Sequence, residues 1–167
     1  MRLPRLKTTT IFFLAAILSA PALFADNTSA NSALPGTLNY VEGQAFIGTR
    51  ALDSKSIGSA EVKPGQSLTT KQGKAEVLLT PGVFLRVGNN SSVRMISPSL
   101  TDTEISVSEG HAMIEVAEIH PENDIRITLG GTTTRLLKTG LYDFDRNDQL
   151  RVFDERHPCR TVGRMSL

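Results

Sequence analysis

Glu42-Gly43-Gln44-Ala45-Phe46-Ile47 recurs 67 residues later as Glu109-Gly110-His111-Ala112-Met113-Ile114, with Val41 before the first copy and Val107 close before the second. In both copies alternate residues fall on opposite faces, which places Ala45 and Ile47 on one side and Gln44 and Phe46 on the other. That is the period of a strand. Working outward, runs of strand length stand at 38–47, 74–79, 83–87, 92–96, 104–108, 111–117, 124–129, 132–138, 141–145 and 149–153, and Gly, Pro, Asn or Asp separates most of them. From Thr37 onward no window places apolar residues at i, i+3, i+4 and i+7 behind a capping pattern. Residues 26–167 hold 10 Val, 8 Ile and 14 Thr against 8 Ala, a bias toward pleated surfaces. The fold class read from the sequence is all-β.

The glycines add a spacing. Gly43, Gly65, Gly88, Gly110 and Gly131 are separated by 22, 23, 22 and 21 residues, and the 67-residue repeat is three such steps. Gly accepts the positive φ that sharp corners require. A roughly 22-residue repeat of short strands with a Gly at each corner predicts a β-solenoid-like roll, with these five as structural turn glycines. A β-sandwich with turns of similar spacing is the alternative.

The ends read differently from the body. Arg2, Arg5 and Lys7 precede the apolar run Ile11–Leu18 and a small-residue stretch ending at Ala25, the order of a secretory signal peptide over residues 1–25. A membrane-spanning helix needs about 20 apolar residues, and Ser19 and Pro21 interrupt this shorter stretch. Export to the periplasm or beyond is expected, with no membrane span after cleavage. Residues 26–36 are small and polar, a flexible leader. Without the first 25 residues the chain has 15 basic and 17 acidic side chains, net −2, with no basic block to suggest a nucleic-acid partner. Residues 155–167 carry no alternation, hold the single Cys159, and are read as a patternless tail, either disordered or the product of a truncated or frame-shifted reading frame.

Several segments together resemble the FecR-type periplasmic domain, named for the ferric-citrate signalling regulator. They are Val41-Glu-Gly43-Gln-Ala, Val62-Lys-Pro-Gly65-Gln-Ser-Leu68, Gln72-Gly73-Lys-Ala75-Glu-Val77-Leu-Leu79, Gly82-Val-Phe-Leu-Arg-Val-Gly88-Asn-Asn-Ser91, Val107-Ser-Glu-Gly110-His-Ala and Lys138-Thr-Gly140-Leu-Tyr142-Asp-Phe144. They cover about Leu38 to Asp154, and the domain is expected over 37–154. The resemblance implies an exported all-β module without catalysis that takes part in signalling. Only Met1 to Thr10 precede the apolar run, so the cytoplasmic anti-sigma segment of those regulators is not expected here. Glu155 stands where the repeat calls for a further Gly.

Candidate chemistry is sparse. His111 occupies the place of Gln44 in the first copy and is read as a surface or cross-strand residue, His120 lies in a turn and His157 in the tail. Cys159 has no His-Asn partner to suggest, there is no Gly-x-Ser-x-Gly elbow, and Gly65 to Gly73-Lys74 is too widely spaced for a phosphate loop. Asp143, Asp145, Asn147 and Asp154 match positions 1, 3, 5 and 12 of a calcium loop, but Asp148 replaces the Gly at position 6 and no helices flank them. Asp143 and Asp145 also lie on one strand face at a spacing that could serve retaining glycoside hydrolysis, although the chain has no Trp to stack a sugar. The reading is therefore a non-enzyme without cofactor: an interaction, signalling or structural module of the cell envelope with an envelope protein partner. An envelope polysaccharide- or cation-binding module is the alternative.

Overall fold

Alternating burial along the chain is realised as strand nearly throughout the computed structural model, which describes residues 34–146 and the backbone of 150–154 and 157–161. The segment read as a signal peptide lies outside the described residues, as do most of the leader and both ends of the tail. The strands are β1 (Leu38–Ile47), β2 (Arg50–Ala51), β3 (Ser67–Thr80), β4 (Val83–Val87), β5 (Ser92–Ser99), β6 (Asp102–Glu109), β7 (His111–Val116), β8 (Ile125–Leu129), β9 (Thr132–Leu136), β10 (Gly140–Asp145), β11 (Leu150–Asp154) and β12 (His157–Thr161). A 3-10 turn, Ser54–Ser56, is capped by Asp53, whose Oδ1 accepts from the backbone N–H of Lys55 and Ser56 at 3.0 and 3.1 Å. Among the described residues no helix is long and apolar enough to cross a membrane. The protein is all-β, as the strand periodicity requires.

All twelve strands join one sheet, curled as a half-barrel, in the order β12-β11-β10-β7-β4-β3-β5-β6-β8-β9, with β1 also on β3 and β2 on β1. The pairings make a meander of long strands. The second half of β3 pairs with β4 and its first three residues with β5, so β4 and β5 run along β3 as one interrupted strand. In the same way β6 lies on β5 and β7 on β4. The β7 end is extended by β10 to β12, the β6 end by β8 and β9.

The interruptions line up across the sheet. Gly43 of β1 faces Gly73 of β3, and the β1–β3 register shifts between Gly43 and Ala45. Next to them residues 88–91 separate β4 from β5, and Gly110 separates β6 from β7. Asn89 Oδ1 accepts from the Gly73 N–H at 3.0 Å, Ser91 Oγ from the His111 N–H at 2.8 Å, and the Gly88 N–H reaches the His111 carbonyl at 3.1 Å. Buried Thr70 braces the same line, its hydroxyl donating to the Gly88 carbonyl and accepting from the Ser91 N–H. Bulges bend strands and sharpen their twist, so an aligned series creases the sheet and lets two wings face one core.

Each wing turns its apolar alternate residues inward. Val77, Leu79, Leu85, Ile114 and Phe144 come from the β3–β4–β7–β10 wing, and Ile105, Ile125, Ile127 and Leu136 from the β6–β8–β9 wing, all 2% exposed or less. Leu52, Ala60 and Val62 from the connection between β2 and β3 are buried in the same cluster. The two copies of the repeat keep the same inward pair: Ala45 and Ile47 in one, Ala112 and Ile114 in the other.

The 22-residue step appears once as a parallel ladder, between β6 and β8, where Thr103 pairs with Ile125 and Val107 with Leu129. Every other ladder is antiparallel. Stacked coils would repeat the parallel step and a sandwich would need a second sheet, and the pairing among the described residues shows neither. The five periodic glycines accordingly occupy different settings. Gly43 and Gly110 have φ near +67° in the crease, Gly65 and Gly131 sit in turns ahead of β3 and between β8 and β9, and Gly88 lies in the crease without a positive φ. Within the segment read as a patternless tail, β12 pairs its backbone antiparallel to β11.

Candidate functional site

On the outer face of the β1–β3–β4–β7–β10 wing, pairing fixes a row of directly opposed residues. Tyr40 faces Glu76, Glu76 faces Arg86, Arg86 faces Met113 and Met113 faces Asp143. These are the positions that alternation turns away from the core. Opposed side chains in such ladders stand close enough to interact, and here they form ion pairs. Arg86 Nε lies 2.7 Å from Glu76 Oε2 and Arg86 Nη2 lies 2.6 Å from Glu115 Oε2. Glu76 also accepts a hydrogen bond from Asn39 Nδ2. The Glu76 hydrogen bond and the Glu115 charge hold the Arg86 guanidinium above its ordinary value, against the effect of burial.

One register step away, His111 meets Asp143. His111 Nε2 contacts Asp143 Oδ1, an ion pair when the imidazole is protonated, and that oxygen accepts no other hydrogen bond. Asp143 is 8% exposed although it lies on the outer face, on the strand between β7 and β11. On its other side the imidazole stands over Gly88, where an added Cβ would come within 3.2 Å of Nδ1. Gly88 therefore supplies space rather than an unusual backbone angle. The result is a groove of about 370 Å³ lined chiefly by Tyr40, Lys74, Glu76, Arg86, His111 and Met113, with Gly88 at its floor.

A second charged cluster sits on the other wing. Arg126 of β8 reaches Asp102 Oδ1 at 2.5 Å, Glu104 Oε2 at 3.0 Å and Asp124, while Arg135 Nε of β9 lies 2.7 Å from Asp124 Oδ1. The Asp102 and Glu104 hydrogen bonds raise the Arg126 guanidinium above its ordinary value. Asp102 is in turn held below the ordinary carboxylate value by the Arg126 hydrogen bond and then by Ser97. This network ties β6 to β8 and β9, and its charges are mutually occupied. It is a clasp on the parallel β6–β8 ladder.

Of the residues singled out in the sequence, Asp143 belongs to the His111 contact and Asp145 faces His111 in register. Asn147 lies outside the described residues, and Asp154 is described only as backbone at the end of β11. Among the described residues no group of three or more His, Cys, Asp or Glu could hold a metal ion. His120 Nε2 lies 3.3 Å from Glu118 in an exposed turn. His157 and Cys159 fall in β12, where only backbone is described. Sequence reasoning missed Tyr40, Lys74, Glu76 and Arg86. Charges at alternate positions, as in Lys74-x-Glu76, were the available signal, but only the register shows which of them meet.

No curated protein and no solved structure matches the chain. The FecR protein family model matches residues 66–153, just over half of the chain, from the start of β3 into β11. The groove, the crease and the Arg126 clasp fall largely within that span, and on this match the chain belongs to the FecR family.

Proposed function

We propose that this protein is an exported, non-enzymatic regulatory module of the cell envelope that passes a signal by docking to another envelope protein along an open sheet edge. Membership of the FecR family is the observation that carries the signalling part of this reading. The basic start, apolar run and small-residue stretch of residues 1–25 support export. For docking, the support is β9. It ends the strand order, and among the described residues its outer edge has no strand partner. An unpaired edge offers a row of backbone donors and acceptors to an added strand. Thr132 and Thr133 are exposed along it, and Leu137 just beyond it is 68% exposed. The polysaccharide- or cation-binding alternative lacks comparable support, since the Asp143 carboxylate on which it rests is engaged by His111.

The test is photo-crosslinking in cells from a reactive amino acid placed at Thr132 or at Leu137 of the full chain. A discrete heavier adduct from both positions is expected, reduced by a Thr133→Pro substitution that removes an edge donor. Recovery of the monomer alone from both positions would overturn the docking reading.

A further inference from the structure

The groove over Gly88 carries an inference that is independent of docking at β9. Its charges are unequally satisfied. Arg86 is shared between Glu76 and Glu115, and His111 faces Asp143. The Lys74 ammonium has neither an ion pair nor a hydrogen bond among the described residues. The acid opposite Lys74 in register is Glu42, whose Oε2 accepts from the Tyr40 hydroxyl at 2.8 Å. One unspent positive charge therefore borders the groove.

The remaining surface is apolar in character. Met113 is half-buried, the ring of Tyr40 stands at one side exposed to solvent, and Gly88 lets the His111 imidazole lie close against the floor. A volume of about 370 Å³ is at the small end of the range of sites that take small molecules, which combine apolar walls with a few placed polar groups. Aromatic rings and thioethers favour contact with another ring, and an ammonium favours a carboxylate through a charge-assisted hydrogen bond.

We propose that this groove binds a small aromatic carboxylate, its ring against Tyr40 and Met113 and its carboxylate at Lys74 Nζ. Arg86 and His111 are the frame rather than the anion-binding groups, because their own carboxylates already hold them. A dianion or a sugar chain is disfavoured, the first by Glu76 at the rim and the second by the size of the groove.

The probe is 2-naphthoate, whose emission can be followed directly because the chain contains no Trp. Titrating it into the purified full chain should give saturable binding in the sub-millimolar range. The uncharged 2-naphthalenemethanol should bind about tenfold more weakly, as should 2-naphthoate to the Lys74→Gln variant, a factor typical of losing one charge-assisted contact. Lys74 is exposed, so the variant should unfold at the same urea concentration as the parent. Gly88→Ala should also weaken binding, by pushing the His111 imidazole into the groove. Absence of saturation, equal binding of the alcohol, or unchanged affinity in a folded Lys74→Gln protein would each overturn the proposal.

Discussion

Replacing Gly110 with Ala tests whether the crease is as tightly closed as the geometry requires. Three penalties combine there. Gly110 has φ +67°, a conformation that costs an L residue with a Cβ about 1–2 kcal/mol. The new Cβ would also stand 2.5 Å from the Asn90 carbonyl oxygen, 2.9 Å from Ser91 Cα and closer still to Ser91 Oγ. Crowding of this kind costs about 1–3 kcal/mol. Moving Ser91 would further loosen its 2.8 Å hydrogen bond from the His111 N–H, a further loss of about 1 kcal/mol. The expected total is about 3–6 kcal/mol. Gly131→Ala is the matched control, because φ there is +84° but an added Cβ meets nothing within 4 Å. It should cost only the backbone term, about 1–2 kcal/mol, partly offset by the stiffer unfolded chain. Urea unfolding followed by far-ultraviolet circular dichroism measures both, provided the slopes agree. If Gly110→Ala falls within about 1 kcal/mol of Gly131→Ala, contact with residues 90 and 91 is not what demands glycine, and the crease argument fails.

Three further outcomes follow from the same structure. Ile114→Ala, at a fully buried position in the middle of β7, should destabilise by about 2–5 kcal/mol in the same urea assay, and a loss below about 1 kcal/mol would contradict the placement of the core. Thr70→Val keeps the shape of the side chain but leaves the Ser91 N–H without its 3.1 Å acceptor, so about 1–3 kcal/mol should be lost with little change in the far-ultraviolet spectrum. For Asp102, whose folded pKa is depressed by Arg126, the linked stability is fully present above the ordinary value of 3.8 and is lost as pH falls through the lower folded value. The stability gap between the parent and Arg126→Met should therefore hold steady at neutral pH and narrow as pH falls below about 4, and a gap unchanged there would show that the Asp102 ion pair contributes nothing.

Strands whose alternation is uninterrupted were legible almost to the residue. Leu38–Ile47 and Val83–Val87 match the runs read at 38–47 and 83–87, and His111–Val116 and Gly140–Asp145 differ by one position at one end. The first half of β3 was not legible, since Thr69-Thr70-Lys71-Gln72 is polar and earns strand geometry only from β1 on one side and β5 on the other. β12 escaped for the same reason, being defined by its partner rather than by its own pattern. The internal copy was a true signal of local conformation. Gly43 and Gly110 share φ near +67°, and each lies against neighbouring backbone, at Gln72 of β3 and at Asn90 of the β4–β5 link. Extending that signal to a uniform 22-residue period mixed crease glycines with ordinary turn glycines, which spacing alone cannot separate. The groove was the least visible part. Its residues come from β1, β3, β4 and β7, and the contact between His111 and Asp143 depends on a register that no short window of sequence contains.

The crease also governs how the chain can be assembled in time. Between β3 and β10 the polypeptide passes from one wing to the other at residues 88–91, returns at Gly110, crosses again before β8 and comes back after β9. Neither wing corresponds to a continuous stretch of sequence, so neither can close before distant segments have met. Chains dominated by such non-local pairing fold slowly and expose unpaired edges while they do so. A nascent copy emerging in an unfolded state should need protection until β10 has docked on β7, and cutting the gene at any of the crossings should yield two fragments that fold only together.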